Sequence, residues 1–71
     1  MKAADKQKVL AALFTTIKAS ATPVCWTELM TAVNATGVKV KNWLEVRNIL
    51  QWLMDEKVIA RCNDTSDSYH D

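Results

Sequence analysis

A single glycine, Gly37, and a single proline, Pro23, punctuate 71 residues. No other feature restricts the fold as much. Tight turns that need positive φ call for glycine, so a sandwich of many short strands is excluded. Phosphate-cradling loops of the P-loop or dinucleotide type need several glycines and are excluded with it. What remains is a chain of helices with few breaks. At this length it forms one domain, residues 1–71, with a small core and a thin stability margin. The 49% hydrophobic content is enough for it to fold.

Periodicity fills the spaces between the two punctuating residues. Val9, Leu10, Leu13, Phe14 and Ile17 form one helical stripe, predicting a helix over about Asp5 to Ala19. Pro23 lacks an amide donor and keeps its predecessor out of the α region, so Ser20-Ala21-Thr22-Pro23 ends that helix. Val24-Cys25-Trp26 reads as a short strand. Thr27 then reads as an N-cap, with Glu28 in the first turn of a second helix. That helix turns Leu29, Met30 and Val33 inward and ends near Asn34, where Gly37 supplies a turn with positive φ. Trp43, Val46, Leu50 and Leu53, with Ile49 beside them, predict a third helix from Lys41 or Asn42 to Glu56. Val58 to Cys62 reads as a strand, Asn63 to Asp67 as a turn, and Ser68 to Asp71 as a short returning strand.

Several functions have no residues to support them. No apolar run reaches the roughly 20 residues of a membrane span, and the N-terminal segment is amphipathic instead of a signal core, so a cytoplasmic protein is expected. Cys25, Cys62 and His70 are too few and too badly spaced for a four-ligand zinc site. With one histidine near the end of the chain, no catalytic constellation is visible. Asp55 and Glu56 are adjacent, point in different directions and read as a solvated turn. The expectation is a non-enzyme without metal, cofactor or small-molecule ligand.

The order helix-strand-helix-helix-strand-strand, and the run Val46 to Arg61 followed by a polar turn and Tyr69, resemble the winged helix-turn-helix family. The fold class is then mostly α with a small β-hairpin wing (α+β). The resemblance spans Val9 to Tyr69 and rests on a pattern of residue types. Three departures stand out: Lys57 occupies a place where the family usually has Gly, the wing turn has no Gly and carries Asp64 and Asp67, and the last strand is very short. Lys57 would have to accept a left-handed cap at about 1 kcal/mol, or the helix must end differently. The resemblance also implies that the first strand pairs with the last, and the last with the one before it. Cys25 and Cys62 would then sit two strand spacings apart, roughly 9–10 Å. That exceeds the reach of a disulfide, about 7 Å, so none is expected.

For such a fold the partner is double-stranded DNA, with the third helix, about 41–56, in the major groove, as in a small transcriptional regulator. The near-neutral net charge hides an asymmetry. Residues 1–50 hold seven Lys/Arg and three Asp/Glu, a balance of +4, whereas residues 51–71 hold two and five, a balance of −3. Lys39 and Lys41 are placed to hold phosphate, Asn42, Arg47 and Asn48 to read bases, and Arg61 to meet phosphate from the base of the hairpin. The bland alternative is an ordinary solvated helix face. Asp64 and Asp67 would repel phosphate, so the wing is not expected to grip DNA. One module of this size binds weakly, which predicts a homodimer on paired half-sites.

Trp26, Trp43 and Trp52 motivate a second reading, a protein–protein adaptor or dimerisation module with no nucleic-acid role. Core packing is the simpler account of Trp26 and Trp43. Trp52 fits the apolar stripe worst and is the best candidate for an exposed interface residue, with Trp26 second.

Overall fold

In a computed structural model describing residues 1–63 and 67–71, three helices pack around a small antiparallel sheet. The elements are α1 (Ala3–Ala19), β1 (Val24–Cys25), α2 (Trp26–Ala35), α3 (Trp43–Asp55), β2 (Ala60–Arg61) and β3 (Ser68–His70). The sheet runs β1-β3-β2, with Val24 opposite Tyr69 and Ala60 opposite His70. The last strand therefore lies in the middle. Cys25 is paired with Ser68, and the Cys62 amide donates to the Ser68 carbonyl from the other side. The two thiols flank β3 and are both free, as the strand spacing requires.

The core is one cluster. Val9, Leu13 and Ile17 of α1 meet Leu29 and Val33 of α2, Val46, Leu50 and Leu53 of α3, and Val24, Val38, Ile59 and Tyr69. Tyr69 is fully buried, and its hydroxyl donates to Asp67 Oδ1 at 2.9 Å, which meets the need of a buried phenol for a partner. The expected inward set is narrower in practice. Leu10 and Met30 are half-buried, and Phe14 is 41% exposed, because a helix on a core this small buries only a thin stripe.

Several boundaries differ from the sequence expectation. Helix α1 begins at Ala3, two residues before Asp5. Trp26 is not a strand residue but opens α2, and its amide donates to the Asp67 carbonyl. Thr27 is therefore not the N-cap. Cys25 holds that position without a side-chain cap bond, and the sheet satisfies the first amide instead. The strand expected over Val58 to Cys62 contracts to Ala60–Arg61, because Val58 is taken up by the end of α3. Asp64 of the expected wing turn lies outside the described residues.

Helix α3 has well-defined ends. Asn42 caps it, its side-chain oxygen accepting from the Leu44 amide at 3.0 Å. At the other end Lys57 takes φ 60°, with its amide donating to Met54 and the Val58 amide donating to Leu53. This is a Schellman closure built on a lysine, the left-handed cap that the sequence raised as one alternative. Gly37, at φ 84°, closes α2 with its amide on Asn34.

Candidate functional site

The outward face of α3 follows from its buried one. With Val46, Leu50 and Leu53 facing the core, the opposite side presents Leu44, Asn48, Gln51 and Asp55, all exposed. Leu44 is 60% exposed, and Gln51 donates to Asp55 at 2.9 Å. Of the expected base-reading residues, Asn48 lies in the middle of this face. Asn42 sits at its N-terminal end with its carbonyl oxygen committed to the cap.

Arg47 belongs to a different arrangement. It points toward the sheet, where its two terminal nitrogens meet the Asp67 carboxylate at 3.2 and 3.0 Å. Its guanidinium also lies 4.1 Å from the centre of the Trp26 ring, and Trp26 packs edge-to-face on Trp43 with centroids 6.0 Å apart. Asp67 accepts from Tyr69 as well, so its carboxylate ties α3 to β3, while its backbone carbonyl takes the Trp26 amide of α2. The Arg47 hydrogen bond holds the Asp67 carboxyl below its ordinary value, overcoming the opposing effect of burial. Asp67 neutralises the one arginine of α3, and sequence spacing gives no sign of a pairing across 20 positions. Arg61 is exposed beside this cluster, its Nη2 3.5 Å from the Tyr69 hydroxyl, on the β2 edge of the sheet, and it does not line the lysine hollow described next.

Three lysines gather at the N-terminal end of α3. Lys39 and Lys41, from the segment between α2 and α3, share a shallow hollow with Met1, Lys2, Asp5 and Glu45. The Met1 amino group pairs with Glu45 at 3.2 Å, which removes the carboxylate charge from this corner. Lys39 and Lys41 are thus brought together as expected, and Lys2 joins them. Sequence gives no sign of Lys2 as a site residue, because it is remote from Lys39 and lies outside the α3 segment.

A second feature runs along the seam between α1 and α3. One hollow of about 200 Å³ is lined by Lys6, Gln7, Leu10, Ile49 and Trp52. A neighbouring one of about 370 Å³ adds Phe14 and Val58. Trp52, 51% exposed, lines both together with Leu10. Trp52 is exposed as expected, whereas Trp26 and Trp43 are half-buried and pack against the core. The signal for the α1 side was the four-residue repeat Lys2, Lys6, Leu10, Phe14, one position beyond the buried stripe.

Among the described residues no cluster of His, Cys, Asp or Glu could hold a metal ion, and no helix is long and apolar enough to cross a membrane. Compared with protein families, with characterised proteins and with solved structures, the chain has no significant match.

Proposed function

We propose that this chain is a winged helix-turn-helix module that binds double-stranded DNA through α3. The observation that carries the reading is the uncovered outward face of α3, with Lys2, Lys39 and Lys41 gathered at its N-terminal end. A helix presented this way fits a major groove, and lysines at its leading end suit the flanking phosphates. The strand order β1-β3-β2, with the returning hairpin beside α3, supports the winged-helix assignment. In this reading Lys2, Lys39 and Lys41 position the module, and Asn48 and Gln51 face the bases. Arg47 braces α2 and β3 against α3 and does not read sequence.

The chemistry predicts weak binding governed by phosphate contacts. Three lysines correspond to a slope of about −3 in a plot of log affinity against log salt. Fluorescence anisotropy with a labelled duplex at several salt concentrations measures it. Lys39→Gln with Lys41→Gln should flatten the slope by about 2, while Asn48→Ala should leave it unchanged. Affinity that does not vary with salt would overturn the proposal.

The apolar seam between α1 and α3 favours a second reading, in which the module engages a protein through Trp52. The two readings use different surfaces and can be tested separately.

A further inference from the structure

The outward face of α3 carries a narrow set of chemistries. Leu44 sits in the first turn and is 60% exposed, more than any other large apolar side chain among the described residues. It takes no part in the core cluster. Asn48 follows it by four residues and Gln51 by seven, so the three share one face. The Asn48 side chain has no hydrogen-bond partner among the described residues. Gln51 donates one amide hydrogen to Asp55, which leaves its oxygen and its second amide hydrogen for another partner.

In a major groove each side-chain type suits one base. The amides of Asn and Gln match adenine, accepting from N6 and donating to N7. An apolar side chain matches the C5-methyl group of thymine. Guanine is matched by Arg or Lys, and the one basic residue of α3 is Arg47, whose two terminal nitrogens are on Asp67. Cytosine is matched by a carboxylate, and the one on this face, Asp55, is the last residue of α3. It lies away from the N-terminal turns with which such helices contact base edges, and it already accepts from Gln51.

We infer that the outward face of α3 selects A·T base pairs, Asn48 and Gln51 reading adenine and Leu44 packing on a thymine methyl. The inference rests on the DNA-binding reading, in which Lys2, Lys39 and Lys41 at the head of the helix meet phosphate. From Leu44 to Gln51 the helix rises about 10 Å, the length of about three base-pair steps. The target is therefore a short A·T run, about three pairs for one module. One bidentate Asn–adenine contact discriminates against G·C on the order of tenfold. Burial of one methyl group adds about fourfold.

Fluorescence anisotropy of the full chain on alternating dA·dT and dG·dC duplexes of about 20 base pairs, equal in length and charge, tests it. The dA·dT duplex should bind more tightly, on the order of tenfold. Two modified duplexes locate the readout. Uracil in place of thymine removes only the methyl group and should weaken binding about fourfold. Inosine in place of guanine gives a minor groove like that of A·T and keeps the major-groove edge of G·C, so this duplex should bind as weakly as dG·dC. Leu44→Ala should bind the thymine and uracil duplexes alike. Asn48→Ala should lose most of the A·T preference. Both variants should keep the wild-type salt slope of about −3. Leu44 and Asn48 are exposed, so both should also keep the native circular dichroism spectrum. Salt-dependent binding without an A·T preference overturns the inference and leaves DNA binding standing, whereas affinity that does not vary with salt removes both. An inosine duplex bound as tightly as dA·dT refutes the major-groove readout. An A·T preference that survives both Leu44→Ala and Asn48→Ala refutes the assignment to this face.

Discussion

Lys57 closes α3 in a conformation that glycine adopts without strain and lysine does not. At φ 60° a side chain with a Cβ costs roughly 1–2 kcal/mol. Glycine removes that cost but loosens the unfolded chain, which offsets about 0.4–1 kcal/mol. Replacing Lys57 also removes a positive charge from the C-terminal end of α3, where it interacts favourably with the helix dipole. Lys57→Ala is the right reference, because it loses the same charge and keeps the strain. Lys57→Gly should therefore be more stable than Lys57→Ala by about 0.5–1 kcal/mol. For a domain of this size that corresponds to roughly 3–6 °C in the unfolding midpoint. Thermal melts followed by circular dichroism, with urea midpoints as a second measure, give the comparison. Lys57→Val should be less stable than Lys57→Ala, since a β-branched side chain tolerates this region worst. If Lys57→Ala matches or exceeds Lys57→Gly, the strain argument is wrong. The two closing bonds, from the Lys57 amide to Met54 and from the Val58 amide to Leu53, would then hold a cap that does not favour glycine.

The Arg47–Asp67 pair gives a pH dependence. Asp67 has a depressed folded value, so its contribution is present above the unfolded carboxylate range and is lost as pH falls through the folded value, below about pH 4. Both side chains are more than a third exposed, so the contribution is about 1 kcal/mol, and Asp67→Asn should remove it together with that part of the acid dependence in urea titrations. The same substitution releases Arg47, and duplex affinity should rise with the salt slope steepening by about 1. Asn42→Ala removes the cap of α3 and should cost about 1 kcal/mol in urea unfolding. A loss below a few tenths would show that the cap bond is not maintained in solution.

The helices were legible because their signal is local. Val9, Leu13 and Ile17, or Val46, Leu50 and Leu53, repeat at helical spacing whatever they pack against. Gly37 and Pro23 punctuate through their own backbone chemistry, and the demand placed on Lys57 follows from where α3 has to stop. Short strands carry no comparable signal. The run Val58 to Cys62 has strand composition, yet only Ala60 and Arg61 pair, because the Schellman closure uses the Val58 amide first. Thr27 has the chemistry of an N-cap, but the sheet delivers the Asp67 carbonyl to Trp26 and α2 starts earlier.

The candidate site divides the same way. Lys39 and Lys41 could be placed at the head of α3 because they lie next to it in the chain, and Trp52 could be singled out because it breaks the stripe. The sequence by itself determined three helices, where they break, a returning hairpin and an uneven charge, since each depends on residues within a few positions of one another. Only the tertiary structure decided which charges remain free. Asp67 and Arg47 are 20 positions apart and count separately in any tally, yet folding sets them in one bidentate pair beneath which Trp26 is stacked. Lys2 is remote from Lys39 but shares its hollow, and the α1–α3 seam exists only because the two helices run side by side. A pairwise interaction between distant residues depends on their separation in space, and that separation is fixed by packing of the whole core.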